Sequence, residues 1–282
     1  MSEEELILSE TQIKLISGGW GSEVFNETEV KKIIYESDGI DIEGYFAYPK
    51  NVKEKLPLII WNRGGNRKDG SIDDFLAKGM FGEIASWGYI VLASNYRKED
   101  EFGGKDVNDI MNLILLADEI PNCDSDKIGM EGWSRGGMMT YKVLTRTDRI
   151  KCAVIISGLA DLFRSEEYRS DLVEVYQKLF GIENEAEFIK RKKERSAVYF
   201  ADKINKATDI LLIHGTSDNK ISYKDSEDMH DKLIQNGINC ELKLIKDGDH
   251  YLKKNKAETT KLRRDWFDKY LKSETSIVKG EK

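Results

Sequence analysis

Apolar and polar residues follow two rhythms along this chain. Over Glu29–Glu36, and again over Ile42–Tyr48, they alternate with a period of two, with Ser37-Asp38-Gly39 between the runs. Alternation puts one face of a strand on a core and the other in water, so the pattern predicts a hairpin of antiparallel strands opening a sheet. Beyond it the rhythm changes. Leu58–Trp61 and Tyr89–Ser94 are apolar runs of the kind buried on both faces, and Lys127–Glu131, Cys152–Ile156, Ile210–Ile213 and Cys240–Ile245 are further strand-like stretches. Between them, apolar residues fall at helical spacing over Ile72–Trp87, Asp106–Glu119, Met138–Thr145, Tyr223–Asn236 and Ala257–Leu271. Pro121 stops the second of these. Strand alternating with helix implies an α/β fold: a mostly parallel sheet with right-handed crossovers and helices on both faces.

One stretch breaks the alternation. Residues 159–205 separate two strands, near 156 and 210, by far more than one helix needs, and are rich in charge and aromatic side chains. They are read as a helical cap insertion over the C-terminal edge of the sheet, where loops build sites. A peripheral helix pair with its own small core is the plainer alternative. The predicted organisation is a helical lead-in over 1–28, one α/β domain over 29–272 and a flexible, lysine-bearing tail over 273–282.

Composition narrows the class. With 282 residues the chain is long enough for one large α/β domain. Its formal net charge of −7 argues against a nucleic-acid or anionic-membrane partner. Cys123, Cys152 and Cys240 are scattered and odd in number, without CxxC or Cys/His spacing, so no disulfide framework, zinc site or other metal or cofactor is expected. The acidic start, Met1–Glu10, has no signal-peptide character, and no apolar run approaches membrane-spanning length. A cytoplasmic protein is the expectation. A homo-oligomer through the sheet edge or the final helix is compatible with the pattern.

The chemistry is carried by Gly132-Trp133-Ser134-Arg135-Gly136, followed by Gly137, between a predicted strand and a predicted helix. A serine on such a turn holds its hydroxyl clear of the sheet, with glycines where the flanks have no room for a Cβ. Downstream, Asp218 lies in His214-Gly215-Thr216-Ser217-Asp218 and His250 in Asp247-Gly248-Asp249-His250, each just past the end of a strand. Serine, acid, histidine is the α/β-hydrolase order. A serine hydroxyl is a weak nucleophile until a base takes its proton, and the base needs a carboxylate to orient it. The expected roles are Ser134 as nucleophile, His250 as general base and then acid, and Asp218 as orienting carboxylate. Of the other two histidines, His230 is expected at the surface of a helix and His214 buried, hydrogen-bonded and structural. The negative oxygen formed on attack needs donors already in place. The amide of Arg135 is one. The loop Asn62-Arg63-Gly64-Gly65-Asn66, after the strand Leu58–Trp61, is the expected source of the other, through Gly64 or Gly65.

The string Gly132–Thr140, the segment Asn95-Tyr96-Arg97 and the HGTSD segment together resemble the prolyl oligopeptidase family of serine hydrolases, over roughly Leu56–Tyr270. The resemblance implies an α/β-hydrolase fold and the same triad. The family usually has Tyr or His before the Gly-Gly pair, where this chain has Arg63. Either the backbone of Gly64 or Gly65 then donates to the oxyanion, or the Arg63 guanidinium does so and also attracts an anionic substrate group. Many peptide-cleaving members carry a β-propeller ahead of the hydrolase domain, and the lead-in here is far shorter than that. Propeller-free relatives are commonly carboxylesterases, so the first reading is hydrolysis of small esters through an acyl-enzyme. The alternatives are an aminopeptidase or short-peptide hydrolase, and a catalytically dead hydrolase used as a binding module. Trp133, Phe163, Tyr168, Tyr223 and Arg63 are the candidate substrate-pocket residues. Glu166, Glu167, Glu183 and Glu185 are candidates for a carboxylate pair that would hold a free amino terminus.

Overall fold

The protein is described here by a computed structural model covering residues 1–66, 69–181 and 184–272. Nine strands form one sheet: β1 (Ser2–Glu5), β2 (Thr28–Ser37), β3 (Ile40–Pro49), β4 (Leu56–Asn62), β5 (Ile90–Ser94), β6 (Cys123–Trp133), β7 (Ile150–Ile156), β8 (Asp209–Gly215) and β9 (Cys240–Ile245). Their order across the sheet is β1-β2-β3-β5-β4-β6-β7-β8-β9. β1 to β3 pair antiparallel, and β3 runs antiparallel to β5. From β5 through β9 every pairing is parallel. This is the α/β-hydrolase architecture that the alternating pattern predicts.

The hairpin β2–β3 turns at Asp38-Gly39, both at positive φ (52° and 77°), which matches the twist of the flanking strands. Along the central strands, neighbouring residues bury on opposite faces. Leu58 and Ile60 enter one core with Leu92, Ile155 and Leu212, while Ile59 and Trp61 enter the other with Val91, Val154 and Ile213. Helices Asp106–Leu116, Arg135–Leu144 and Lys224–Gln235 cover the first face; the helical segment Asp74–Ser86 and the C-terminal helix Lys256–Phe267 cover the second.

The lead-in differs from its expectation. Glu10–Trp20 and Glu23–Asn26 are helical, but Ser2–Glu5 forms an edge strand on β2. Its four exposed residues have no apolar periodicity to announce it; what places them is the backbone ladder and an ion pair between Glu5 and Lys31. The predicted tail, 273–282, lies outside the described residues.

The insertion between β7 and β8 contains helices Leu162–Tyr168, Asp171–Phe180 and Glu185–Lys193. Tyr176 and Phe180 stack on each other and both pack on Phe102, in the loop after β5. Arg195 donates to the carbonyls of Glu101 and Phe102. The insertion is thus joined to the main core and to a loop at the C-terminal edge of the parallel strands, rather than enclosing a core of its own.

Candidate active site

Four of the expected groups lie just past the ends of four parallel strands: Gly64 after β4, Ser134 after β6, Asp218 after β8 and His250 after β9. Ser134 sits at φ 57°, ψ −121°, a backbone conformation an L-residue adopts only when its surroundings force it. The forcing is visible. The Ser134 amide donates to Ile156 O, and Ser134 O accepts from Gly137 and Leu159. A Cβ on Gly136 would lie 2.0 Å from the Asn62 carbonyl oxygen, so only glycine lets the helix Arg135–Leu144 approach β4 this closely. Arg135 is the first residue of that helix, where a backbone N–H has no partner within the helix and suits an anion.

Asp218 is fully enclosed and holds two histidines. Its Oδ2 accepts from His250 Nδ1 at 2.7 Å and from His214 Nε2 at 3.1 Å; its Oδ1 accepts the amides of Lys220 (2.7 Å) and Ile221 (3.0 Å). Burial by itself raises the pKa of this carboxyl, but the bonds from His214 and His250 outweigh it and hold the group well below the usual carboxylate range. With Nδ1 on the carboxylate, His250 keeps Nε2 for proton transfer. The loops carrying the pair clasp each other: Ser217 N donates to Gly248 O, Thr216 N to Ile245 O and Asp247 N to Thr216 Oγ1.

The Gly64-Gly65 loop is anchored from below. Arg63, 2% exposed, donates through Nε and Nη2 to Asn95 O and through Nη1 to Gly64 O and Asp69 O, with its guanidinium over the Tyr96 ring. The sequence leaves open whether the Arg63 side chain or the Gly64-Gly65 backbone faces the substrate; four hydrogen bonds of the guanidinium go to backbone carbonyls beneath the loop, which favours the backbone. Arg135, also 2% exposed, pairs through both terminal nitrogens with Asp100 (2.5 and 2.6 Å) and through Nη2 with Asp106 (2.5 Å), and donates to Gly65 O. One side chain thereby links the elbow, the Gly64-Gly65 loop and the loop after β5. Asp100 and Asp106 were invisible as partners, because nothing in the spacing of 100, 106 and 135 brings them together.

The candidate pocket residues divide. Trp133 lies against the site, but its indole N–H donates to His250 O at 3.2 Å, and its ring meets the Tyr251 ring edge-on. Tyr168 reaches the acid loop from the insertion, its hydroxyl donating to Asp218 O at 2.7 Å. Tyr223 is half-buried at the start of the helix Lys224–Gln235, with the Lys224 ammonium over its ring. Phe163 is not brought to the site: its ring packs on Tyr199 and under the Lys192 ammonium inside the insertion. That ammonium also takes Glu166 Oε2 at 2.6 Å, while Glu166 Oε1 is buried without a hydrogen-bond partner among the described residues. Glu167 and Glu185 are exposed, and Glu183 lies outside the described residues. Tyr251, adjacent to His250 and half-exposed, is a rim residue that the residue pattern did not single out.

Among the described residues there is no cluster of three or more metal-ligating side chains, and no helix is long and apolar enough to cross a membrane.

Comparison with known proteins agrees with this fold. The chain is 26% identical over 211 residues to the uncharacterized peptidase YtmA of Bacillus subtilis (strain 168), covering 72% of this chain and 79% of that one. It is 24% identical over 266 residues to the uncharacterized peptidase YuxL of the same organism, but covers only 38% of that protein. Among solved structures, the acylaminoacyl peptidase of Pyrococcus horikoshii superposes with a TM-score of 0.76 at 22% identity, over 89% of this chain and 43% of that one. A puromycin-hydrolyzing peptidase of Mycobacterium tuberculosis gives 0.74 at 21%, over 86% and 40%. At that identity the likeness speaks to the fold, and the chain spans under half the length of these structures. The family itself matches residues 82–274, a stretch that holds the elbow, Asp218 and His250, and the chain is a serine hydrolase belonging to the prolyl oligopeptidase family.

Proposed function

We propose that this chain hydrolyses short peptides or acylated amino-acid amides through an acyl-enzyme on Ser134. His250 takes the Ser134 proton and returns it to the leaving amine. Asp218 fixes the imidazole and stabilises its cation. The amide of Arg135 and the backbone of the Gly64-Gly65 loop hold the oxyanion, each such donor contributing roughly 3–4 kcal/mol to lowering the barrier. The observation that carries the reading is the 2.7 Å bond from His250 Nδ1 to Asp218 Oδ2, made between two loops that flank a serine held at positive φ. Peptide bonds are preferred over esters because the family, and the names of both bacterial relatives, are those of peptidases. Ester cleavage needs the same acyl-enzyme and a better leaving group, so activated esters serve as reporters.

The test is intact mass after treatment with a fluorophosphonate, wild type beside Ser134→Ala, followed by turnover of aminoacyl anilides and short peptides against nitrophenyl esters. One adduct on wild type, absent from the variant, with kcat/KM higher for the amides after correction for leaving group, supports the proposal. An adduct with turnover confined to esters returns the carboxylesterase reading. No adduct on folded wild type makes the chain a binding module.

A further inference from the structure

We infer that His214 is a positioning residue of the proposed triad: an oriented donor that shares the Asp218 carboxylate with His250. The inference rests on the triad reading above. His214 and Asp218 are both completely enclosed, on β8 and in the loop that follows it. His214 Nε2 faces two oxygens that can only accept: Asp218 Oδ2 at 3.1 Å and Ile221 O at 3.2 Å. The proton must therefore sit on Nε2. Nδ1, 2.7 Å from Ser226 Oγ, then accepts the serine hydroxyl proton. The result is a directional relay of hydrogen bonds, Ser226 to His214 to Asp218, ending on the same oxygen that receives His250.

Two consequences follow from one oxygen serving two imidazoles. The carboxylate is fixed in rotation, since Oδ1 is simultaneously held by the Lys220 and Ile221 amides. Its charge is also divided, so it is a weaker acceptor for His250 than an unshared aspartate. Other groups that meet the pair include the Tyr168 hydroxyl from the insertion, on Asp218 O, and, on the His250 side, the Trp133 indole and the Tyr251 ring, with the Lys253 ammonium over that ring. His214 bonds the same carboxylate oxygen as His250, which makes it the neighbour placed to tune the couple. The neighbouring residue on the same helix, Asp225, accepts the amides of Ala160 and Asp161 at the root of the insertion. Ser226 therefore presents its hydroxyl from a helix start that is itself pinned.

Removing the donor frees the carboxylate to hold the His250 cation more tightly. In His214→Phe the acid limb of the kcat/KM profile is expected to move up by about 0.5–1 pH unit, with kcat down on the order of 10-fold. His214→Gln, whose amide N–H reaches the same oxygen, should return the limb part of the way. Ser226→Ala, a smaller change, should move it in the same direction by less, and stands in if His214→Phe does not fold. Independently, 15N spectra of the wild-type imidazoles, tractable with only three histidines, should show the His214 proton on Nε2. An acid limb that stays in place in folded His214→Phe and Ser226→Ala, or a His214 that carries its proton on Nδ1 alone, overturns the inference. Turnover surviving in Ser134→Ala would instead overturn the triad reading, a separate outcome.

Discussion

The indole of Trp133 donates its N–H to the carbonyl of His250, 117 residues further along the chain. The residue before the proposed nucleophile therefore holds the backbone of the proposed base through its side chain. A net hydrogen bond of this kind is worth about 0.5–1.5 kcal/mol. Trp133→Phe keeps the ring against Tyr251 and removes only the donor. We expect kcat to fall by roughly 2- to 10-fold with KM little changed. A variant that changes KM alone would make Trp133 a wall of the substrate pocket instead.

Arg63 gives a prediction opposite to the one its charge invites. Because the guanidinium binds the carbonyls of Asn95, Gly64 and Asp69 beneath the Gly64-Gly65 loop, Arg63→Ala should slow neutral and anionic substrates by the same factor. Burial pushes its pKa down from the ordinary arginine value, and the loss of a buried group that organises three carbonyls should also lower stability, by about 2–4 kcal/mol. Steady-state kinetics on a matched pair of neutral and carboxylate-bearing substrates, with urea unfolding alongside, checks both. Selective loss on the anionic substrate would restore a recognition role.

Asp225 predicts how stability depends on pH. Its carboxyl is buried beneath the root of the insertion; burial raises its pKa to about 6, against the opposing pull of the Ala160 and Asp161 amides and of Arg164. The folded pKa lies above the unfolded value near 3.9, so the fold favours the protonated acid. Its contribution is most favourable below about pH 4 and is lost as pH rises through about 6. Asp225→Asn, which can still accept both amides, should lack this loss and gain on wild type between pH 4 and 7, by about 2–3 kcal/mol in chemical denaturation. Parallel stability curves for the two proteins over that window would show that the carboxyl is ionised at no cost.

How much of this was legible in the residues depends on the range of the interaction that decides it. The hairpin, the buried strands and the order Ser134, Asp218, His250 are local patterns or a chain order, and all are visible before folding. β1 was not, because four exposed residues carry no periodicity and only the partner strand places them. Phe163 and Tyr168 looked alike as aromatics in one insertion. The turn of a single helix sends one to Lys192 and Tyr199 and the other to Asp218 O. Arg63 was legible as a departure from the family pattern, but its direction was not: a guanidinium before a Gly-Gly pair can face the substrate or the loop's own carbonyls, and the position of Asn95 decides.

The tolerance at Gly64 is milder than at Gly136, but it bears directly on Ser134. A Cβ there would lie 3.1 Å from Trp133 O and 3.2 Å from Ser134 Cβ, tighter than ordinary contact but short of a prohibitive clash. Gly64 is not at positive φ, so alanine meets no backbone penalty and the cost falls on whichever neighbour gives way. One neighbour is Ser134, the proposed nucleophile, and the other is the carbonyl beside it. A shift of a few tenths of an ångström leaves a fold nearly indifferent, whereas misplacing a reacting atom by about 1 Å costs on the order of 100-fold in rate. Gly64→Ala should therefore lower kcat about 10- to 100-fold while thermal unfolding moves by only a few degrees. Fluorophosphonate labelling should slow in step, since the probe needs the same serine and the same oxyanion donors. If labelling stays fast while amide turnover falls, the added methyl is obstructing the leaving group, and the Gly64 loop borders the substrate rather than the oxyanion.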